Sequence, residues 1–321
     1  MVLAAVFPAL DARVCFNGLY AASSALLLVT LALGLGIVVG LAGLLDLGYA
    51  AFFAIGSYTA AILTSSGSPT ALTLPAIRQP WLGLGLAGLV AATFGVLFGV
   101  PSVRTRGEYL AIVTLAFGEI VPSVIVHLPD LTGGPRGMSG IPPPGLWDSG
   151  PLLSVYLVTL GAVVLIYLGI RRLIRARVGR AWAAIRDDEL AAQAVGIDPP
   201  RLKLLAFAVG AACAGAAGAL FAGLFGYVEP AQFDLTLSLM VLAAVVVGGR
   251  WGLVGVVGGA LVIALYDRVV VDFATQGVRA VGAGLDIPEL LSADLRGDNF
   301  TIFGLALYLA VRFRGRSSRT E

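Results

Sequence analysis

One lysine and one histidine occur in 321 residues, and only 12% of the chain is charged, about half the share of an ordinary soluble domain. The lysine, Lys203, follows Arg201 and Leu202, so no G-x-x-x-x-G-K-[ST] phosphate loop exists and ATP cannot be bound and split by that route. The lone His127, at the end of an apolar run, excludes a His-based metal cluster and the usual zinc signatures, and reads as a capped or interfacial side chain. Cysteine is nearly absent too. Cys15 and Cys213 have no partner at metal-ligand or redox spacing and read as small apolar core residues. No G-x-S-x-G elbow occurs, and the carboxylates within apolar runs are singletons rather than the paired acids of a hydrolase. The chain is therefore not expected to be an enzyme, to hold a metal or a cofactor of its own, or to bind nucleic acid. Residues 1–10 lack a basic n-region and an A-x-A signal, so no cleaved signal peptide is expected.

What is abundant is apolar: 58% of residues are hydrophobic, with 42 Gly and 16 Pro. A soluble core cannot absorb that much apolar surface, and Gly and Pro are more frequent in membrane helices, where small residues let backbones approach closely. Apolar runs fall at 19–43, 46–64, 81–100, 108–128, 151–170, 202–226, 235–249, 252–274 and 299–313. The expected fold is all-α, a polytopic transmembrane helical bundle of about nine segments, eight to ten by the ambiguity of broken runs. The runs around 46–64 and 235–249 are either full spans or re-entrant. Residues 1–321 form one transmembrane domain on this reading, with 171–203 as a cytoplasmic segment inside it. That segment holds Arg171, Arg172, Arg175, Arg177, Arg180, Arg186, Arg201 and Lys203, so it belongs on the cytoplasmic side with Arg104, Arg106 and the tail from Arg312 to Arg319. The stretches 65–80, 129–150 and 275–298 then lie outside. The side of the N-terminus stays open.

Within the basic segment, Val178, Trp182 and Ile185 fall on one face of a helix. Asp187 or Asp188 can N-cap a second helix through Ala191 and Ala192, with Gly196 as its stop and Pro199-Pro200 preventing continuation. Two readings fit this pattern: an amphipathic helix in the headgroup layer, or a docking helix for a cytoplasmic partner. Gly36 and Gly40 make a small-x-x-x-small pair, and Gly43, Asp46 and Gly48 interrupt the apolar run. Asp46 either caps the helix that follows or marks a solute path. Glu119, with Pro122 just beyond it, is either an interhelical hydrogen-bonding group or a path residue, and Thr114 joins these two acids as a path candidate. The stretch Leu131–Pro144 has too many Gly and Pro for regular structure; Thr132, Gly133, Gly134, Gly137 and Gly140 belong to a connector or a docking surface. Gly210, Gly215 and Gly218, and Gly252, Gly255 and Gly259, favour close helix packing.

Four ordered blocks carry a resemblance: GLLDLGYAAFFAIGSYTAAILT (Gly43–Thr64), RGEYLAIVTLAFGEI (Arg106–Ile120), LTGGPRGMSGIP (Leu131–Pro142) and IRDDELAAQAVGI (Ile185–Ile197). Over roughly residues 25–270 the chain resembles the M-type permeases of bacterial branched-chain amino-acid ABC importers. The resemblance implies a multi-pass protein of the bacterial inner membrane, paired with a paralogous H-type permease subunit. It also implies a pair of cytoplasmic ATPase subunits that use MgATP, and a periplasmic solute-binding protein that delivers leucine, isoleucine or valine. It makes Trp182, Ile185, Asp187, Asp188, Glu189, Ala191, Ala192 and Gly196 the ATPase-coupling residues. The chain departs from the family at Leu190, where the general E-A-A pattern has its acid, at Gly36, where an Asn is common, and in its ending, which lacks R-P-x-G. Its start is also short of a customary first span. A urea or short-chain amide permease shares the architecture. An ion-coupled secondary transporter and a membrane scaffold without transport are the rival classes.

Overall fold

The computed structural model describes residues 18–66, 79–103, 108–144, 151–249 and 252–266. In hydrocarbon a backbone N–H has no water to turn to, so spanning segments satisfy themselves as helices. Helix α1, Gly18–Leu35, runs on into a π-helical stretch, Gly36–Leu41. After a break come α2, Tyr49–Thr64, then α3, Pro80–Val103, and α4, Glu108–Val126. A short helix α5, Pro129–Thr132, and a two-residue strand β1, Met138–Ser139, lead to α6, Pro151–Arg175. The polar helices α7, Arg177–Asp187, and α8, Glu189–Ala194, precede α9, Pro199–Phe225. Strand β2, Tyr227–Val228, and helices α10, Leu235–Gly248, and α11, Gly252–Leu265, follow.

Six of these segments are long and apolar enough to cross a membrane, and α2 and α11 are apolar but shorter. Of the about nine expected segments, the described residues hold six full-length spans and two short ones, and the run 299–313 lies outside them. Helix α2 is short because the break at 42–48 places its start inside the bundle; at 1.5 Å per residue it reaches about 24 Å, less than the roughly 30 Å of a hydrocarbon core. The run at 235–249, the other suspected partial span, instead extends back through a 3-10 turn to Pro230 and reaches full length.

Helix α9 is the centre, packed against α3, α2 and α1. Its small residues permit this: a methyl group on Gly215 would strike Ala87 and Ala91 of α3, and one on Gly218 would strike Phe53 and Ser57 of α2. Gly248, Gly255 and Gly259 seat α10 against α11 in the same way, whereas Gly252 faces open space. The pair Gly36 and Gly40 does not act as expected. Among the described residues a methyl group on Gly40 would meet nothing within 4 Å, and the close approach of α1 to α9 is made by Gly34 against Gly210 and Cys213. Around this seam Phe53, Phe221 and Phe233 meet edge to face, with ring centroids 5.1 and 5.4 Å from that of Phe53. Cys213 is buried and unpaired, and Cys15 lies outside the described residues.

The helices sort their connections to two ends. One end carries the arginines of 171–201, and the break after α1 is tied to it by the Arg186 Nη1 bond to the Gly40 carbonyl, 2.8 Å. At the other, Ser65 donates to the Ser139 carbonyl at 2.6 Å, and β1 pairs antiparallel with β2, Met138 opposite Val228. Segments 65–66, 129–144 and 226–229 therefore share the end opposite the basic one, as the charge pattern requires.

Candidate functional site

At the basic end, the sequence of α7 makes one buried face, and the structure uses it against the chain itself. Trp182 is fully buried, Ile185 nearly so, and Gly179 lets the helix turn tightly against Ile174. The indole Nε1 of Trp182 donates to the Leu202 carbonyl of α9 at 2.8 Å. With that face occupied inside the protein, α7 has no apolar side left for a headgroup layer. Asp188, not Asp187, is the N-cap of α8: its Oδ1 accepts from the Leu190 and Ala191 amides at 2.8 and 3.0 Å. Asp187 instead stays exposed beside Arg186, 3.7 Å away. Gly196, at φ +84°, ends α8; its amide donates to Gln193 and that of Ile197 to Ala192, the paired bonds of a Schellman stop. Glu189 Oε1 meets Nζ of Lys203 on α9 at 2.9 Å, and the lysine side chain is almost wholly buried. Ala192 is buried beneath α8, while Ala191 and Gly196 are exposed and Leu190 and Val195 stand out at 66% and 76% exposure. An apolar knob thus projects from an element pinned at Trp182, Arg186 and Lys203.

The break before α2 brings Asp46 and Thr114 together. Thr114 Oγ1 accepts from the Leu47 amide at 3.1 Å, and Asp46 Oδ1 accepts from Gly48 at 2.9 Å. Ser238 of α10 takes the Ala50 amide at 3.0 Å, so side chains of two neighbouring helices satisfy amides at the start of α2. Gly48 is the N-cap position and offers no side chain, and Asp46 closes the turn just before it. Asp46 is 1% exposed rather than interfacial, and its second oxygen has no hydrogen-bond partner among the described residues. Glu119 is not part of this cluster. It lies on the opposite side of α4 from Thr114, exposed, with no hydrogen-bond or ion-pair partner among the described residues.

The stretch after α4 is more regular than its Gly and Pro content suggests. It winds through α5 and a 3-10 turn at Gly134–Arg136 before pairing as β1. Thr132 is buried, donating to the Ile125 and Leu128 carbonyls at 2.6 and 2.8 Å and accepting from the Gly134 amide. Gly137, at φ +67°, has no room for a side chain because Val228 and Glu229 of the β2 segment cross it. Thr132 and Gly134 are therefore internal; Gly133 and Gly140 are exposed together with Leu131, Pro135 and Arg136. Tyr227 clasps this turn, donating to the Arg136 carbonyl at 3.0 Å and meeting Glu229 Oε2 at 2.9 Å. The bond to Glu229 raises the phenol above its ordinary range.

Sequence reasoning missed Lys203, Arg186, Ser238 and Tyr227. Lys203 carried a signal, as the only lysine of the chain in its most polar segment. The other three join positions 90 or more residues apart, and nothing local marks them. Among the described residues no three His, Cys, Asp or Glu side chains converge as metal ligands.

The family model described as "Branched-chain amino acid transport system / permease component" matches residues 17–295. The chain is 39% identical over 307 residues to the high-affinity branched-chain amino acid transport system permease protein LivM of Salmonella typhimurium, covering 88% of this chain and 69% of that one. The LivM protein of Escherichia coli K12 matches with the same identity and coverage. The permease protein LivH of Escherichia coli K12 is 26% identical over 268 residues, 79% of this chain and 84% of that one. No solved structure matches.

Proposed function

Because the chain belongs to the branched-chain amino acid transport system permease family, we infer that it is the membrane-spanning subunit of an ABC importer for leucine, isoleucine and valine. The observation that carries the reading is the knob of Leu190, Ala191 and Val195 on α8. A chain without a phosphate loop can be driven by ATP only through a contact that differs between two states. Here an apolar contact surface sits on an element fastened by side chains to α9 and to the end of α1.

The basic end is the cytoplasmic one, with the C-terminal tail on the same side, and a pair of ATPase subunits that use MgATP docks on α8 there. The opposite end receives the solute-binding protein on the exposed residues Leu131, Gly133, Pro135, Arg136 and Gly140, while Thr132, Gly134 and Gly137 hold the turn in shape. A paralogous H-type permease completes the path, in keeping with the likeness to LivH. ATP-driven closure of the ATPase pair displaces α7 and α8 together, and the Arg186 bond to Gly40 carries that displacement to the break at 42–48, where Asp46 and Thr114 lie. No covalent intermediate forms. The residues of 1–321 act as one permease domain in the inner membrane of a bacterium.

The test is co-purification from membranes followed by leucine uptake in vesicles with the co-purified subunits and a branched-chain binding protein. Leucine flux that requires ATP is expected. Flux by the chain alone, without ATP and collapsing with an ion gradient, would overturn the assignment.

A further inference from the structure

The spans differ in what they show to their surroundings. Helix α3 exposes Leu82, Leu89, Val96 and Val100, and α6 exposes Leu157, Leu165 and Leu168. Helix α11 exposes Val254, Leu261 and Val262. These are faces for acyl chains. Helix α4 also exposes Tyr109, Ile112, Ile120 and Val124, but beside them it carries Ala116, Glu119, Ser123 and His127 along one exposed stripe, spaced so that Glu119, Ser123 and His127 follow one another at successive turns. Glu119 lies about 16 Å along the helix from Glu108 and about 10 Å from Val126, at 1.5 Å per residue. Among the described spans it is the only ionisable side chain exposed away from a helix end.

A carboxylate at that depth does not face acyl chains; such groups line water-filled cavities or meet a complementary charge. The residues around it point to a wetted wall. Ser123 lies one turn beyond Glu119 and His127 one turn beyond that, at the mouth of the opposite end, where its Nδ1 donates to the Ser123 carbonyl at 2.8 Å. Pro122, inside the helix, has no N–H to give the Gly118 carbonyl, which removes a rung of the ladder beside Glu119. Ala116, about one turn before the acid, is small and exposed.

We propose that this stripe of α4 is the wall of the translocation path, and that Glu119 receives the ammonium group of the amino acid as it passes. The proposal rests on the importer reading and names a contact within it. The zwitterionic solute brings one positive charge and one negative; a carboxylate with no partner among the described residues holds the ammonium end and leaves the branched side chain to Ile112, Ile120 and Val124 beside it. Asp46, sealed within the bundle, is not on this wall.

Two measurements on the reconstituted complex test it. In a C15A/C213A background, Ser123→Cys is expected to react with a membrane-impermeant cationic thiosulfonate at least tenfold faster than Leu89→Cys or Leu165→Cys. Equal, slow labelling at all three positions overturns the wall. Glu119→Gln is expected to lower ATP-dependent leucine uptake at least tenfold, with the second permease and the ATPases still co-purifying, and Glu119→Asp to recover part of it. Unchanged uptake overturns the ammonium role, as does loss of the second permease from the Glu119→Gln complex, which would make the acid an assembly contact. If the unaltered complex moves no leucine, the importer reading fails and the ammonium role with it, while the Ser123→Cys labelling still decides whether α4 faces water.

Discussion

The two ends of the bundle are held by different kinds of bond. At the basic end α7 and α8 are attached by side chains: Trp182 to Leu202, Arg186 to Gly40, Glu189 to Lys203. At the opposite end the turn is attached largely by backbone: Met138 to Val228, Ser66 to Gly140, Ile141 to Gly226. Backbone pairing through glycines with no room for a side chain makes a rigid platform. Long side chains reaching from one helix to another let that helix shift as a unit without unravelling the spans beneath it. On the proposed function, a receiving surface and a moving lever call for these two constructions respectively, and substitutions at either end separate them.

The largest effect belongs to Trp182→Ala. It empties a fully buried site and removes the Nε1 bond to Leu202, a loss of about 3–5 kcal/mol for an aromatic truncation in a packed core. The expected result is a chain that inserts, with α7 and α8 detached; thermal unfolding of the purified complex should fall, and ATP hydrolysis should no longer respond to the loaded binding protein. If the response survives, α7 is not the lever. Gly137→Ala attacks the other end. Its φ of +67° with ψ of −164°, a region essentially reserved to glycine, alone costs about 1–3 kcal/mol for a residue with a Cβ, and the methyl group would also push against Val228. Uptake dependent on the binding protein should drop while the ATPases remain bound. Loss of the ATPases from this variant would mean that the two ends do not act separately.

How much of this was legible in the chain follows from the range of each interaction. The Trp182 and Ile185 face, the Asp188 cap and the Gly196 stop are set within a few residues, and the pattern of the basic segment shows them directly. Even there the choice between Asp187 and Asp188 needed the amides of Leu190 and Ala191 in place. The start of a span was less legible, because an apolar run such as 46–64 does not reveal that its helix begins only at Tyr49, inside the bundle, with Ser238 of a helix far along the chain taking an N–H. Glu119 shows the limit from another side: the residues around it are apolar whether it faces inward or outward, and only packing decides. Thr132 illustrates the reverse, a polar residue in a loop motif that the fold turns inward to bind Ile125 and Leu128.

A smaller effect separates the cap from the lever. Asp188→Ala removes the acceptor for two amides of α8 and should cost about 1 kcal/mol, as N-cap losses do. Because Trp182 and Lys203 still hold the element, the expected change is a loosened α8 and a few-fold weaker ATPase stimulation, read as faster hydrogen exchange at 190–194 with the remaining spans unchanged. Exchange rising across α9 as well would show that the cap supports the bundle and not only its lever.

The smallest effect on stability is expected where the effect on assembly is greatest. Leu190 is two-thirds exposed, so Leu190→Ser should leave unfolding within about 0.5 kcal/mol of the unaltered protein, as surface changes usually do. The same substitution removes the largest apolar side chain from the knob of α8. If the ATPases seat there, Leu190→Ser weakens their co-purification while the second permease stays; Arg136→Ala, at the other end, leaves the ATPases in place and weakens the response to the binding protein. A Leu190→Ser complex that retains its ATPases and hydrolyses ATP normally would move the contact off α8, and the side-chain fastening of the basic end would then need a different explanation.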